Sequence, residues 1–255
     1  MYGIIHVFSG SASHLLNRIL AIDTATEALS LAFQDGPRLC SLHRIIPRQH
    51  QQQLFPLLAE LLDGRSPAEL GLDAVAFGSG PGSFTGLRIA ASAAQGLGYS
   101  LQVPVLGIST LETQARTLLR REALDEPCVL LSTIDARIGQ VYAAFYHFDG
   151  ARLSALSAPR VCAPEALSIP EAVQALHYLP LLGLGTGYGQ RSAMPVTLGD
   201  IDACWPELLP EAQDMLEPAS AALDSGLLTP ATQALPDYVQ QRIGWKTLAE
   251  QGRSA

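Results

Sequence analysis

Lysine is almost missing from this chain: Lys246 is the only one among 16 basic residues in 255. The formal net charge is −8. A chain so poor in cations is ill suited to gripping a polyanion alone, because nucleic-acid affinity rests on neutralised phosphates. Nor is there a GxxxxGK[ST] loop, whose lysine would reach the phosphates of a nucleotide. Cysteine is scarce: Cys40, Cys128, Cys162 and Cys204 are scattered, with no CxxC pair. They read as small apolar residues in a reducing cytosol. None of the six histidines stands four residues from another, and no GxSxG elbow occurs. No apolar run approaches the roughly 18 residues of a membrane span. Tyr2 to Phe8 is short and has no basic residue ahead of it, so a signal peptide is not expected. What is present is 48% hydrophobic and 16% charged. That suffices for a buried core in one large domain or two lobes.

The chain is organised around residues 71–98, GLDAVAFGSGPGSFTGLRIAASAAQGLG. Leu72 to Phe77 reads as a buried strand. Gly78-Ser79-Gly80-Pro81-Gly82 makes the backbone permissive and turns it sharply. Ser83 is placed to cap a helix, its hydroxyl accepting an orphan N–H of the first turn. Gly86, Ala90, Ala94 and Gly98 then recur every four residues and share one helical face. Two readings of the glycine loop stand. It is a phosphate cradle at a helix N-terminus, or a tight turn that lets a helix lie close on a sheet. It lacks the phosphate-loop lysine, and its glycines do not follow GxGxxG into the helix. The pattern alone favours packing, either inside the chain or against another.

Before this stretch, Arg18 to Asp23 and Glu27 to Phe33 read as an antiparallel hairpin around Thr24-Ala25-Thr26, and Leu39 to Ile46 as a third strand. Arg48 to Asp63 is helical by period, with Leu54, Leu57, Leu58 and Leu61 at i, i+3, i+4 and i+7. Phe55 and Leu62 widen its apolar stripe beyond one packing face. Pro56 should bend this helix or mark a late start. After it, Val103 to Ile108 reads as a strand and Thr110 to Glu122 as a helix. Beyond Asp125-Glu126-Pro127 a second lobe begins with strands Cys128 to Ile134 and Gln140 to Phe148. Asp135 and Arg137 in their connecting turn read as a stabilising ion pair of small energy. Leu181 to Gly189 is a strand ending in alternating glycines, without a charged residue. Ala212 to Leu223 is helical by composition, and Pro236-Asp237-Tyr238 leads a returning segment.

The residues GSGPGSFTGLRIAASAAQGLG, followed by VPVLGISTLETQA, resemble the bacterial TsaB (YeaZ) family. The likeness continues through ILAIDTATEALSLAF, IDARIGQVYAAFY and PDYVQQRIGWK, and spans about residues 18–248. It implies a two-lobed α/β fold, actin-like or sugar-kinase-like (ribonuclease H-like), with mixed sheets flanked by helices. The expected division is an extension at 1–17 without function, a first lobe at 18–108, a second at 109–235, and a segment at 236–255 returning to the first. The resemblance also implies a noncatalytic subunit of the machinery that makes threonylcarbamoyladenosine in transfer RNA. Such a subunit pairs with the transferase TsaD, joins the ATPase TsaE, forms a homodimer when alone and meets tRNA only indirectly, in the cytoplasm and away from any membrane. No cofactor is expected on this chain, ATP and Mg being used by its partners.

The family pairs through its first two helices, which puts Phe55, Leu58, Leu62, Gly86, Ala90, Ala94 and Gly98 in the expected interface. In the wider fold group the first hairpin faces a nucleotide phosphate. Asp23, Thr24 and Thr26 therefore hold a vestigial phosphate-loop position, or else serve turn backbone groups, as Asp and Thr commonly do. The catalytic sister family binds metal through an HxxxH helix; here His50 stands alone near that region, so no metal site is expected. Two rival readings are an ATP-using phosphotransferase or hydrolase of the sugar-kinase type, and a glycoprotease-like peptidase.

Overall fold

The computed structural model describes residues 5–7, 17–199, 201 and 203–239. Two six-stranded sheets form the frame. The first contains β1 (Ile5–Val7), β2 (Arg18–Asp23), β3 (Ala28–Asp35), β4 (Arg38–Ile45), β5 (Ala74–Gly80) and β6 (Val105–Ser109), in the order β1-β4-β3-β2-β5-β6. β2, β3 and β4 form an antiparallel meander, while β2, β5 and β6 run parallel. α1 (His50–Leu61) and α2 (Phe84–Leu101) supply the connections to β5 and from β5 to β6. Strand periodicity sets the two faces of this sheet. Leu20, Ile22, Val75 and Phe77 point to the side covered by α1 and α2. Ile19, Ala21, Ala74 and Ala76 point to the other side.

α3 (Thr110–Arg121) leads to the second sheet. That sheet holds β7 (Cys128–Arg137), β8 (Gln140–Phe148), β9 (Leu153–Ala155), β10 (Arg160–Cys162), β11 (Leu181–Leu184) and β12 (Cys204–Trp205). Its order is β10-β8-β7-β11-β12, with β9 also on β8. Leu111, Ala115 and Leu118 of α3 pack on one face, against Leu130, Tyr146 and Phe148. The opposite face, with Val129, Leu131 and Phe145, is closed by Leu167, Val173, Tyr188 and Leu198. Those come from irregular chain around the short helices α4 (Glu171–Gln174) and α5 (Val196–Gly199). The two-lobed mixed α/β fold matches the expectation.

One expectation changes, and one of two alternatives falls. The returning segment starts well before residue 236. The 3-10 turn Ala212–Met215 and α6 (Leu216–Asp224) cover the second face of the first sheet, burying Ala212, Met215, Leu216 and Ala219. The reason is physical: that face is apolar, and among the described residues this segment brings the apolar side chains that pack on it. Within the N-terminal extension, Ile5–Val7 pairs antiparallel with Arg38–Cys40 at the edge of the first sheet. And Pro56 marks no late start. α1 begins at His50, and Pro56 sits within it.

Candidate functional site

The glycine loop and the first hairpin meet at the N-terminus of α2. Ser83 caps that helix, its hydroxyl accepting from Gly86 N at 3.4 Å, and donates its own N–H to Ala25 O at 2.7 Å. A Cβ on Gly86 would overlap the Thr24 carbonyl oxygen, so only glycine permits this approach. The Thr24 hydroxyl closes the contact by donating to Gly86 O at 2.7 Å. Asp23 lies beneath, fully buried; its Oδ1 accepts from Ala25 N at 3.1 Å, and its Oδ2 has no partner. Burial pushes this carboxyl up from 3.8 to about 7, against the opposing pull of the Ala25 N–H. The Thr26 hydroxyl accepts from Ala28 N at 3.3 Å. The Asp23 and Thr26 side chains therefore serve the hairpin turn, the Thr24 side chain reaches across to α2, and Asp23 and Thr24 are wholly covered.

The second glycine loop is closed in the same way. Gly185 and Gly187 lie against Thr133, whose hydroxyl donates to Leu184 O at 2.9 Å. Between the two loops runs a cleft of about 1380 Å³, walled by Glu27, Arg48, His50, Ser83, Asp135 and Arg137 among others. Asp23 is not among its lining residues. Arg137 spans the cleft, pairing with Glu27 at 2.7 Å and with Asp135 at 3.3 Å, the latter being the turn ion pair read from sequence. His50 backs the cleft with its Nε2 buried and unpartnered, and burial lowers its pKa. No three His, Cys, Asp or Glu side chains gather as a metal-ligand set among the described residues.

The expected partner interface divides sharply. Leu58 is 4% exposed, and Leu62, Ala90 and Ala94 are 0% exposed, all within the first lobe's own core. Gly86 and Gly98 are buried too, Gly98 against Val105 and Ala231. These six residues are corrected from partner contacts to internal ones. The small-residue face of α2 lets that helix settle on its own sheet, and the leucines of α1 fill the same core. Only Phe55, 59% exposed, offers a surface.

Beside Phe55, the outward faces of α1 and α2 carry residues which the sequence reading missed. A groove of about 490 Å³ runs between them, lined by Gln51, Phe55, Phe84, Arg88, Ile89 and Ser92 among others. Tyr238 packs on its rim, its ring centroid 5.4 Å from that of Phe84. One signal for this face was present in the sequence: Arg88 is the only charged residue of α2. Chemically the face is an aromatic-edged surface of mixed apolar and uncharged polar residues with one cation, suited to binding protein more than to reacting.

A family model for TsaD, tRNA N6-adenosine threonylcarbamoyltransferase, matches residues 43–180. The tRNA threonylcarbamoyladenosine biosynthesis protein TsaB of Escherichia coli (strain K12) is 33% identical over 243 residues, covering 91% of this chain and 98% of its own length. TsaB of Haemophilus influenzae is 30% identical over 241 residues, covering 90% of this chain and 96% of its own. The solved structure of YeaZ from Pseudomonas aeruginosa is similar at a TM-score of 0.78 and 37% identity, over 87% of this chain and 99% of that one. The fold and these likenesses agree: the chain belongs to the TsaB (YeaZ) family of tRNA threonylcarbamoyladenosine biosynthesis proteins.

Proposed function

We propose that this chain is a noncatalytic subunit in the synthesis of threonylcarbamoyladenosine on tRNA, and that it works by pairing with the transferase TsaD. The observation that carries this reading is a contrast. The Thr24 side chain is engaged by the chain's own Gly86, while the outer faces of α1 and α2 are open and carry few charges, with Phe55 and Phe84 exposed. Interface centres favour aromatic residues and arginine and are depleted in other charges, which is the composition of this groove. The chain needs no cofactor of its own; ATP and Mg are used by TsaD and by the ATPase TsaE, which joins the pair. When alone it forms a homodimer through the same face. Its acidic charge leaves tRNA to the partner. No described helix is long and apolar enough to cross a membrane.

Light scattering after size exclusion tests this reading. The chain alone should run as a dimer, and mixing with TsaD should give a heterodimer at the homodimer's expense. A chain that ignores TsaD sinks the proposal. The cleft of about 1380 Å³ favours a second reading, an ATP-binding phosphotransferase or hydrolase. It requires heat on titrating ATP-Mg into the isolated chain, and turnover. The burial of Asp23 away from that cleft weighs against it. Nothing in the described residues favours the peptidase reading.

A further inference from the structure

α1 and α2 together hold two formally charged side chains, Glu60 and Arg88, beside His50. Glu60 is already paired, with Arg44 at 3.3 Å. Arg88 is not: among the described residues it has no carboxylate partner. It is nevertheless held in place. Its Nε donates to the Tyr238 hydroxyl at 3.0 Å, and its guanidinium carbon lies 3.9 Å from the centroid of the Phe84 ring. Tyr238 is itself fixed by its neighbour Asp237, whose N–H donates to Ser79 O at 2.7 Å. With Nε occupied, the Nη1/Nη2 end of the guanidinium has no hydrogen-bond partner among the described residues, and that end can still take a carboxylate end-on with two N–H groups. A long side chain immobilised before binding loses less entropy when it binds.

We propose that Arg88, clamped between Phe84 and Tyr238, is the residue that selects a carboxylate-bearing partner over a second copy of this chain. This inference rests on the pairing proposed above and names what that face recognises: an apolar surface carrying one Asp or Glu. A self-pair through the same face brings two copies of Arg88 into the interface and no unpaired acid from either helix to meet them. Burying a cation unpaired is costly, so the arginine weakens self-association while it strengthens binding to an acidic partner. One side chain thus acts in opposite senses on the two complexes.

The test compares wild type with Arg88→Gln, measuring dissociation constants for self-association and for TsaD by sedimentation or titration calorimetry at low and high salt. Circular dichroism melts serve as the fold control, with Arg88→Lys as a second variant keeping charge without the fork. Arg88→Gln should bind TsaD at least tenfold more weakly and lose most of the salt dependence. Its self-association should be unchanged or tighter, and Arg88→Lys should fall between. Equal weakening of both complexes, or unchanged affinity for TsaD in a variant that melts like wild type, overturns the inference while leaving the pairing intact. If wild type does not bind TsaD, both the pairing and this inference fall.

Discussion

At the scale of single residues, Asp23 carries the plainest consequence of burial. Its carboxyl is sealed under the first hairpin with one oxygen unpartnered. Raised to about 7 in the folded chain, against 3.8 ordinarily, it makes stability depend on pH in a defined sense. Below about pH 4 both states hold the proton and the carboxyl exacts no penalty. Between about 4 and 7 the unfolded chain loses it first, so stability falls as pH rises, by about 1.4 kcal/mol per unit at most. Above about 7 the loss is complete. Urea melts should therefore show wild type losing up to about 3 kcal/mol between pH 5 and 8. Asp23→Asn, which keeps the acceptor for the Ala25 N–H, should remove that slope. Parallel profiles for the two proteins would mean the carboxyl titrates normally. The sequence placed Asp23, Thr24 and Thr26 in a turn, and the side chains of Asp23 and Thr26 do accept turn N–H groups. It gave no sign that Gly86 comes down on Thr24, a contact between residues far apart in the chain.

At the scale of elements, α2 is the informative case. The four-residue spacing of Gly86, Ala90, Ala94 and Gly98 was legible, and it does mark a close-packed face. What packs on it was not legible, because a sheet in the same chain and a helix in another ask for the same small side chains. Burial decides for the sheet. The two faces of the helix should accordingly answer differently to substitution. Ala90→Leu adds bulk where Ala90 is 0% exposed, and should cost about 1–3 kcal/mol in a denaturant melt. Phe55→Asp, on the open side, should change the melt by under about 0.5 kcal/mol. It should also reduce the dimer fraction seen by light scattering. The reverse pattern would return the small-residue face to the interface. α1 was legible for a plainer reason: its leucine stripe is strong enough to carry Pro56 inside the helix, despite the backbone hydrogen bond a proline forfeits.

At the scale of the whole molecule, two sheets are joined by α3 and by the chain that follows β12. An ionic cluster fastens this joint. Arg120 of α3 pairs with Glu211 at 2.6 Å and with Asp214 at 2.7 Å, and Asp214 also accepts from the Thr117 hydroxyl at 2.8 Å. Both carboxylates are largely buried. Replacing Arg120 by Met leaves them without their main counter-charge and should cost about 3 kcal/mol, read from urea melts at neutral pH. A loss below about 1 kcal/mol would mean that Arg121 and water compensate. None of this was legible from composition, since the partners lie on segments separated by the entire second sheet.

The covering of the first sheet by Ala212–Asp224 bears on how the protein is made. β2 to β6 leave the ribosome with one face already able to gather α1 and α2. The other face must wait for more than a hundred further residues. At bacterial rates of synthesis that interval is on the order of ten seconds. Throughout it, a half-built sheet presents Ile19, Ala74, Leu106 and their neighbours to the cell. A nascent chain in that state is a client for chaperones, and a truncation upstream of residue 212 would leave a permanently sticky lobe.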